Sequence, residues 1–152
     1  MSNEKSNREL VITRRLHAPV DLVWEAWSKP EHIIHWWGPT GFTTTMQLME
    51  FRAGGRWEFI MHGPDGTDYD NRSIFKEIVP LKRIVYEHIS WPKILATISF
   101  EDEGEYTGMR WQMLFESHEE LVKVVKMHKA DEGMKQNVER MVAYLSTMKV
   151  KP

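Results

Sequence analysis

Seven histidines, 22 carboxylates and no cysteine set the chemistry open to this chain of 152 residues. Without cysteine there is no disulfide, thiolate nucleophile, iron–sulfur cluster or thiolate zinc site, and a reducing compartment is expected. His32 and His35 stand three apart, a spacing that places both on one face of a helix. Zinc needs at least a third ligand, and no histidine or carboxylate at a recognised spacing supplies it, so no metal is expected. His118 and His128, ten apart, read as helix-surface histidines. Glu101, Asp102, Glu103 and Glu105 read as an acidic hairpin turn. A turn offers no desolvation to shift a carboxylate toward acid–base work, and Asp68 and Asp70 at a strand entrance read the same way. Ser73, Ser90, Ser99, Ser117 and Ser146 lack a nucleophile elbow. Gly54-Gly55 precedes a strand rather than a helix, so it reads as a turn or bulge and not as a phosphate cradle. No catalytic residue and no cofactor are assigned.

More informative are polar residues whose strand alternation turns them toward the interior. Tyr86 and His88 share a face with Ile84. Tyr69 and Asn71 begin their strand near the open end of the expected sheet, and Glu77 lies mid-strand. Arg110 alternates with Trp111 and so faces outward. A buried tyrosine or histidine must be satisfied by protein, water or ligand, and the sequence leaves all three open.

The elements that position these residues follow from hydrophobic period. Residues 9–16 mix β-branched and polar types and read as a strand, after a loose polar tail over residues 1–8. Pro19 suits a helix entrance, and Leu22, Val23, Ala26 and Trp27 recur at helical spacing until Pro30. A second short helix is expected over 31–37, stopped by GPTG at 38–41. The period then becomes alternating. Strands are expected over 42–51, 57–62, 69–79, 84–88, 96–100 and 107–115, joined by short turns into an antiparallel meander. Ser117 followed by Glu120 forms a capping box for a long helix to about Met148, with an interruption expected near Gly133. Its apolar stripe is Met134, Val138, Met141 and Leu145. The reading is α+β: a curved sheet of about seven strands wrapped round one long C-terminal helix, with two short helices closing an end.

Composition agrees with a soluble globular domain. Hydrophobic residues make up 41% and charged residues 28%, and net charge is −2 with both signs mixed. That leaves no basic face for nucleic acid. No apolar run approaches the roughly 20 residues of a membrane span, and the first ten residues lack a secretory apolar stretch, so a cytoplasmic location is expected. The excess is in bulky apolar side chains: seven Trp, ten Met, six Phe and four Tyr. These either fill a core or line an adaptable binding surface.

The motifs APVDLVW (18–24), KPE (29–31) and HWWGP (35–39) resemble the amino-terminal signature of the family called activator of heat-shock-protein-90 ATPase homologue 1-like. FRAGGRW (51–57), GPDG (63–66), PLKRIVY (80–86) and TISFED (97–102) follow in the family's order and spacing. EGMKQNVERM (132–141) is similar to its C-terminal helix motif, with Met134 where tryptophan is usual. The resemblance covers residues 10–146. It implies the helix-grip fold of the START-like superfamily, which includes polyketide cyclase/aromatase domains and plant pathogenesis-related allergens. It also implies a cavity for a small hydrophobic or amphipathic molecule, with a polyketide cyclase-like enzyme as one alternative. A chaperone-interacting module is the other, although the eukaryotic namesake carries an additional amino-terminal domain with no counterpart in these 152 residues.

The expected lining comes from the alternating faces and the helix stripe. Trp37 stands before the meander, either plugging the core with Trp36 or forming the cavity rim. Phe42 and Met46 come from the first strand of the meander, and Trp57, Phe59 and Met61 from the second. Tyr86, His88, Ile98, Trp111 and Met113 come from the later strands, and Met134, Val138 and Met141 from the helix. The expected partner is a small hydrophobic ligand, with a chaperone as a further candidate, and the expected assembly is a monomer or weak homodimer.

Overall fold

The computed structural model describes residues 7–149. Residues 1–6 of the expected tail lie outside the described residues. Arg8 is not loose: its backbone exchanges with Phe115, whose N–H donates to the Arg8 carbonyl at 2.8 Å, and its guanidinium donates to the Phe115 carbonyl at 2.9 Å.

The chain opens with β1 (Glu9–Leu16), α1 (Val20–Ser28) and α2 (Pro30–Ile33). Pro19 caps α1, its carbonyl accepting from the N–H groups of Leu22 and Val23. Pro30 forces Lys29 into extended backbone, which separates the helices. The second helix is shorter than expected. Regular α structure ends at Ile33, and the chain passes Trp36 in a looser turn.

Six strands follow: β2 (Thr43–Met49), β3 (Arg56–His62), β4 (Asp68–Val79), β5 (Arg83–His88), β6 (Ile94–Glu103) and β7 (Tyr106–Phe115). All pairings are antiparallel, and the order across the sheet is β1-β7-β6-β5-β4-β3-β2. The acidic segment differs from its expectation. Glu101 to Glu103 continue β6 on the exposed side, and the turn itself is made at Gly104, at φ +77°. Register shifts between Met46 and Leu48 and between Phe75 and Glu77 bend β2 and β4. The second shift takes Glu77 out of the inward row, so it is exposed and paired with Arg83 at 2.8 Å. Arg110 faces outward as its alternation requires.

The long C-terminal helix is two helices, α3 (His118–His128) and α4 (Ala130–Lys149). The Ser117 hydroxyl accepts from the Glu120 N–H at 3.1 Å, as the capping box requires. The break falls at Lys129, which is left-handed at φ +51°, and not at Gly133. Gly133 lies inside the first turn of α4, where an added Cβ would come 3.3 Å from Pro39 Cγ. Its missing side chain serves close approach of helix and loop rather than a helix stop.

The concave face of the sheet packs on α4 and α1. Trp27, Trp36, Trp57 and Trp111 are at most 2% exposed and form the solid centre, with Trp27 edge-on to both Trp36 and Trp111 at 4.9 and 5.1 Å.

Candidate ligand cavity

Packing differs between the two ends of the grip. Toward the start of α4 the sheet and helix part around a hollow of about 750 Å³. That lies within the roughly 300–1,000 Å³ of small-molecule sites. Its mouth lies among the loop after Trp37, the start of β4, Trp91 and Pro92 before β6, and the α3–α4 junction. An arc of rings runs along the rim: Phe42 to Tyr69 at 6.0 Å, Tyr69 to His128 at 6.1 Å, and His128 to Trp91 at 5.9 Å. Helix α3 lies across this end, and Val124, its one buried residue, belongs to the lining.

Nine of the residues expected in the lining border the hollow. Trp37, Phe42, Phe59 and Met61 form one wall; Tyr86, His88, Trp111, Met113 and Met134 form the rest. The other five lie elsewhere. Trp57 is wedged between Trp37 and Phe75, with ring centroids 5.0 and 5.3 Å away. Ile98, Val138 and Met141 are fully buried at the closed end, because alternation and helical period fix a face but not how far along it a void opens. Met46 is half-buried on the edge strand β2, beside the bulge. The two adjacent tryptophans divide the alternatives between them. Trp36 is a core plug whose indole N–H donates to the Ala26 carbonyl at 3.2 Å, while Trp37 faces the hollow.

Other lining residues carried weaker signals. Ser73 continues the inward row that begins with Tyr69 and Asn71, so alternation along β4 points to it. Val124, His128 and Lys129 belong to the lining because the helix breaks at Lys129. Nothing marks that break in sequence, since the left-handed position holds lysine rather than glycine or asparagine.

The polar groups run as one track along β4 and β5. Ser73 pairs with His88 and Phe75 with Tyr86, which makes Ser73 and Tyr86 diagonal neighbours on the concave face. His88 is held on both ring nitrogens. Nδ1 donates to the Pro92 carbonyl at 2.7 Å, and Nε2 lies 2.7 Å from Asn71 Oδ1 and 3.3 Å from the Ser90 hydroxyl. The backbone groups of Pro92 and Ser90 favour the protonated ring. Burial opposes that charge and prevails, holding the ring below its ordinary pKa. Tyr86 differs. Its hydroxyl hydrogen-bonds to no described residue, and burial raises its pKa well above the usual phenol value, so it stays a neutral donor. The Ser73 hydroxyl is buried without a protein partner, as are the indole N–H groups of Trp27, Trp57 and Trp111.

The residues set aside from catalysis have structural surroundings. His32 Nδ1 lies 2.7 Å from the Tyr144 hydroxyl, and His35 stacks on the Tyr144 ring. His118 bonds the Asn7 carbonyl. Among the described residues no three histidine or carboxylate side chains form a metal-binding group. Among the described residues no helix is long and apolar enough to cross a membrane. The loop that walls the hollow is pinned by Arg140 on α4, whose Nη1 donates to the carbonyls of Trp37, Gly38 and Pro39 at 2.9–3.1 Å.

This architecture recurs in solved structures. A solution structure of a protein from Arthrobacter aurescens aligns with a TM-score of 0.88 at 27% identity, covering 96% of this chain and 90% of that one. A crystal structure of protein NE0264 from Nitrosomonas europaea aligns at 0.86 with 21% identity, over 96% and 99% of the two chains. An activator of Hsp90 ATPase homolog 1-like (AHSA1-like) protein from Aeromonas hydrophila aligns at 0.72 with 16% identity, over 93% and 96%. No curated protein matches the chain. The family model for activator of Hsp90 ATPase homolog 1-like protein matches residues 17–146, with the START-like fold described above, and the chain belongs to that family.

Proposed function

We propose that the protein binds a small hydrophobic or amphipathic molecule in the hollow between the sheet and α4. The observation that carries this reading is the hollow itself, about 750 Å³ within a grip whose other end is packed solid with tryptophan. Its walls are aromatic and thioether side chains, and its charged lining residues Asp68, Asp70, Lys129 and Glu132 are all exposed at the rim. Apolar enclosure with a few placed polar groups is the usual composition of a small-molecule site.

A binding role fits the polar groups better than acid–base catalysis does. Both nitrogens of His88 are already engaged by protein oxygens. Tyr86 faces the hollow, but a hydroxyl whose pKa is raised so far is a poor general base near neutral pH.

The test is a fluorescence titration with 2-naphthol, run on the wild type and on Met113→Trp, which adds bulk to the wall. Saturable one-to-one binding, weakened roughly tenfold or more by the substitution, is the expected result. Absence of saturable binding, or equal affinity in the two proteins, would overturn the reading.

A further inference from the structure

The concave face carries chemistry that sorts ligands more finely than size and apolarity. Tyr86 is 5% exposed and Ser73 is 1% exposed; both line the hollow, and neither side chain hydrogen-bonds to a described protein group. The Ser73 hydroxyl is buried without a partner, which is costly, and the Tyr86 hydroxyl on the neighbouring strand also has none, so a ligand oxygen in this stretch of wall would give them one. Each can donate, and each can also accept from a ligand hydroxyl.

The same interior has no place for a charge. Lys129, the one lysine in the lining, is exposed at the mouth, three residues before Glu132. Arg140 lies behind the wall with its Nη1 committed to backbone carbonyls. A carboxylate drawn into the hollow would therefore be desolvated without a cation to meet it. The walls favour flat molecules. Trp37 and Trp111 stack at 5.6 Å with 29° between their planes, and Phe59 stands edge-on to Trp37 at 6.1 Å.

We infer that the ligand is an uncharged ring molecule bearing a hydroxyl or keto oxygen, seated with that oxygen against Tyr86 and Ser73. This rests on the cavity-binding reading and adds the ligand's class and orientation. It separates such molecules from long-chain acids, whose head group would have to remain at the mouth.

Naphthalene, 2-naphthol and 2-naphthoate share one ring system and differ in the group that would meet the track. Their affinities are measured at neutral pH, where 2-naphthol is uncharged, for wild type, Tyr86→Phe and Ser73→Ala. The wild type should bind 2-naphthol roughly threefold to tenfold more tightly than naphthalene, with 2-naphthoate weakest. Each substitution should shrink the naphthol preference while leaving naphthalene affinity within about twofold. Because naphthalene needs only the cavity, its retained binding also reports that each variant is folded. Equal binding of naphthalene and 2-naphthol, a preference that survives both substitutions, or 2-naphthoate binding as tightly as 2-naphthol would overturn this inference and leave cavity binding intact. Failure of all three compounds to bind the wild type would overturn both.

Discussion

Arg140 donates to the carbonyl of Trp37 at 3.1 Å, so a cation on the last helix fixes the backbone of the ring that divides solid core from hollow. The same nitrogen reaches the Gly38 and Pro39 carbonyls, and three acceptors share its two hydrogens. Partial burial lowers the guanidinium pKa, but an arginine side chain keeps its charge in a protein. Arg140→Met should cost about 1–3 kcal/mol, a fall in melting temperature of several degrees, because it leaves carbonyls of the loop without their donor. Arg140→Lys should recover only part of this, since an ammonium lacks the planar fork. Thermal unfolding of the two variants checks the order; a lysine variant as stable as wild type would contradict it.

Gly55 holds the turn between β2 and β3 against Glu50. A Cβ added there would lie 1.9 Å from the Glu50 carbonyl oxygen, a backbone atom that cannot swing aside. The Gly54 N–H donates to the Phe75 carbonyl and the Phe75 N–H to the Gly55 carbonyl, so moving the turn also breaks the link to β4. Gly55→Ala should destabilise by roughly 3 kcal/mol or more in denaturant unfolding. Gly54→Ala should be milder: a Cβ there meets nothing within 4 Å, and the cost comes only from its positive φ of 84°.

His88 should make stability depend on pH in a defined direction. Burial holds its folded pKa below the reference value of 6.5. As pH falls below that value the unfolded chain takes up a proton that the folded chain refuses, so stability present above the unfolded pKa is lost toward the folded one. Melting temperature measured from roughly pH 7 to pH 5 should fall more steeply for wild type than for His88→Gln. Parallel curves would remove His88 from the account.

The fold was legible because its signals are periodic and redundant. Alternation in β3, β5 and β7 placed Trp57, Phe59, Met61, Tyr86, Trp111 and Met113 on the concave face, and Ser117 with Glu120 marked the start of α3. What failed was local. Lys129 breaks the C-terminal helix without glycine, and Gly133 imitates a break while serving contact with Pro39. The bulge before Glu77 reverses an alternation that the sequence alone continues. The cavity was half legible for a related reason. Periodicity says which side chains face inward, but whether they mesh or stand apart depends on the separation of layers. Met134 and Met141, seven residues apart on one stripe of α4, accordingly have different surroundings: hollow beside the first and solid core around the second.

Methionine methyl groups test the central claim most directly, since they sample both regions. Met61, Met113 and Met134 border the hollow, Met109 and Met141 lie in solid core, and Met127 is exposed on α3. In carbon-13 methyl spectra of the whole protein titrated with 2-naphthol, ring currents should shift Met61, Met113 and Met134 saturably while Met109, Met141 and Met127 stay in place. Shifts confined to Met127, or no saturable shift at any of the three bordering methyls, would contradict the account.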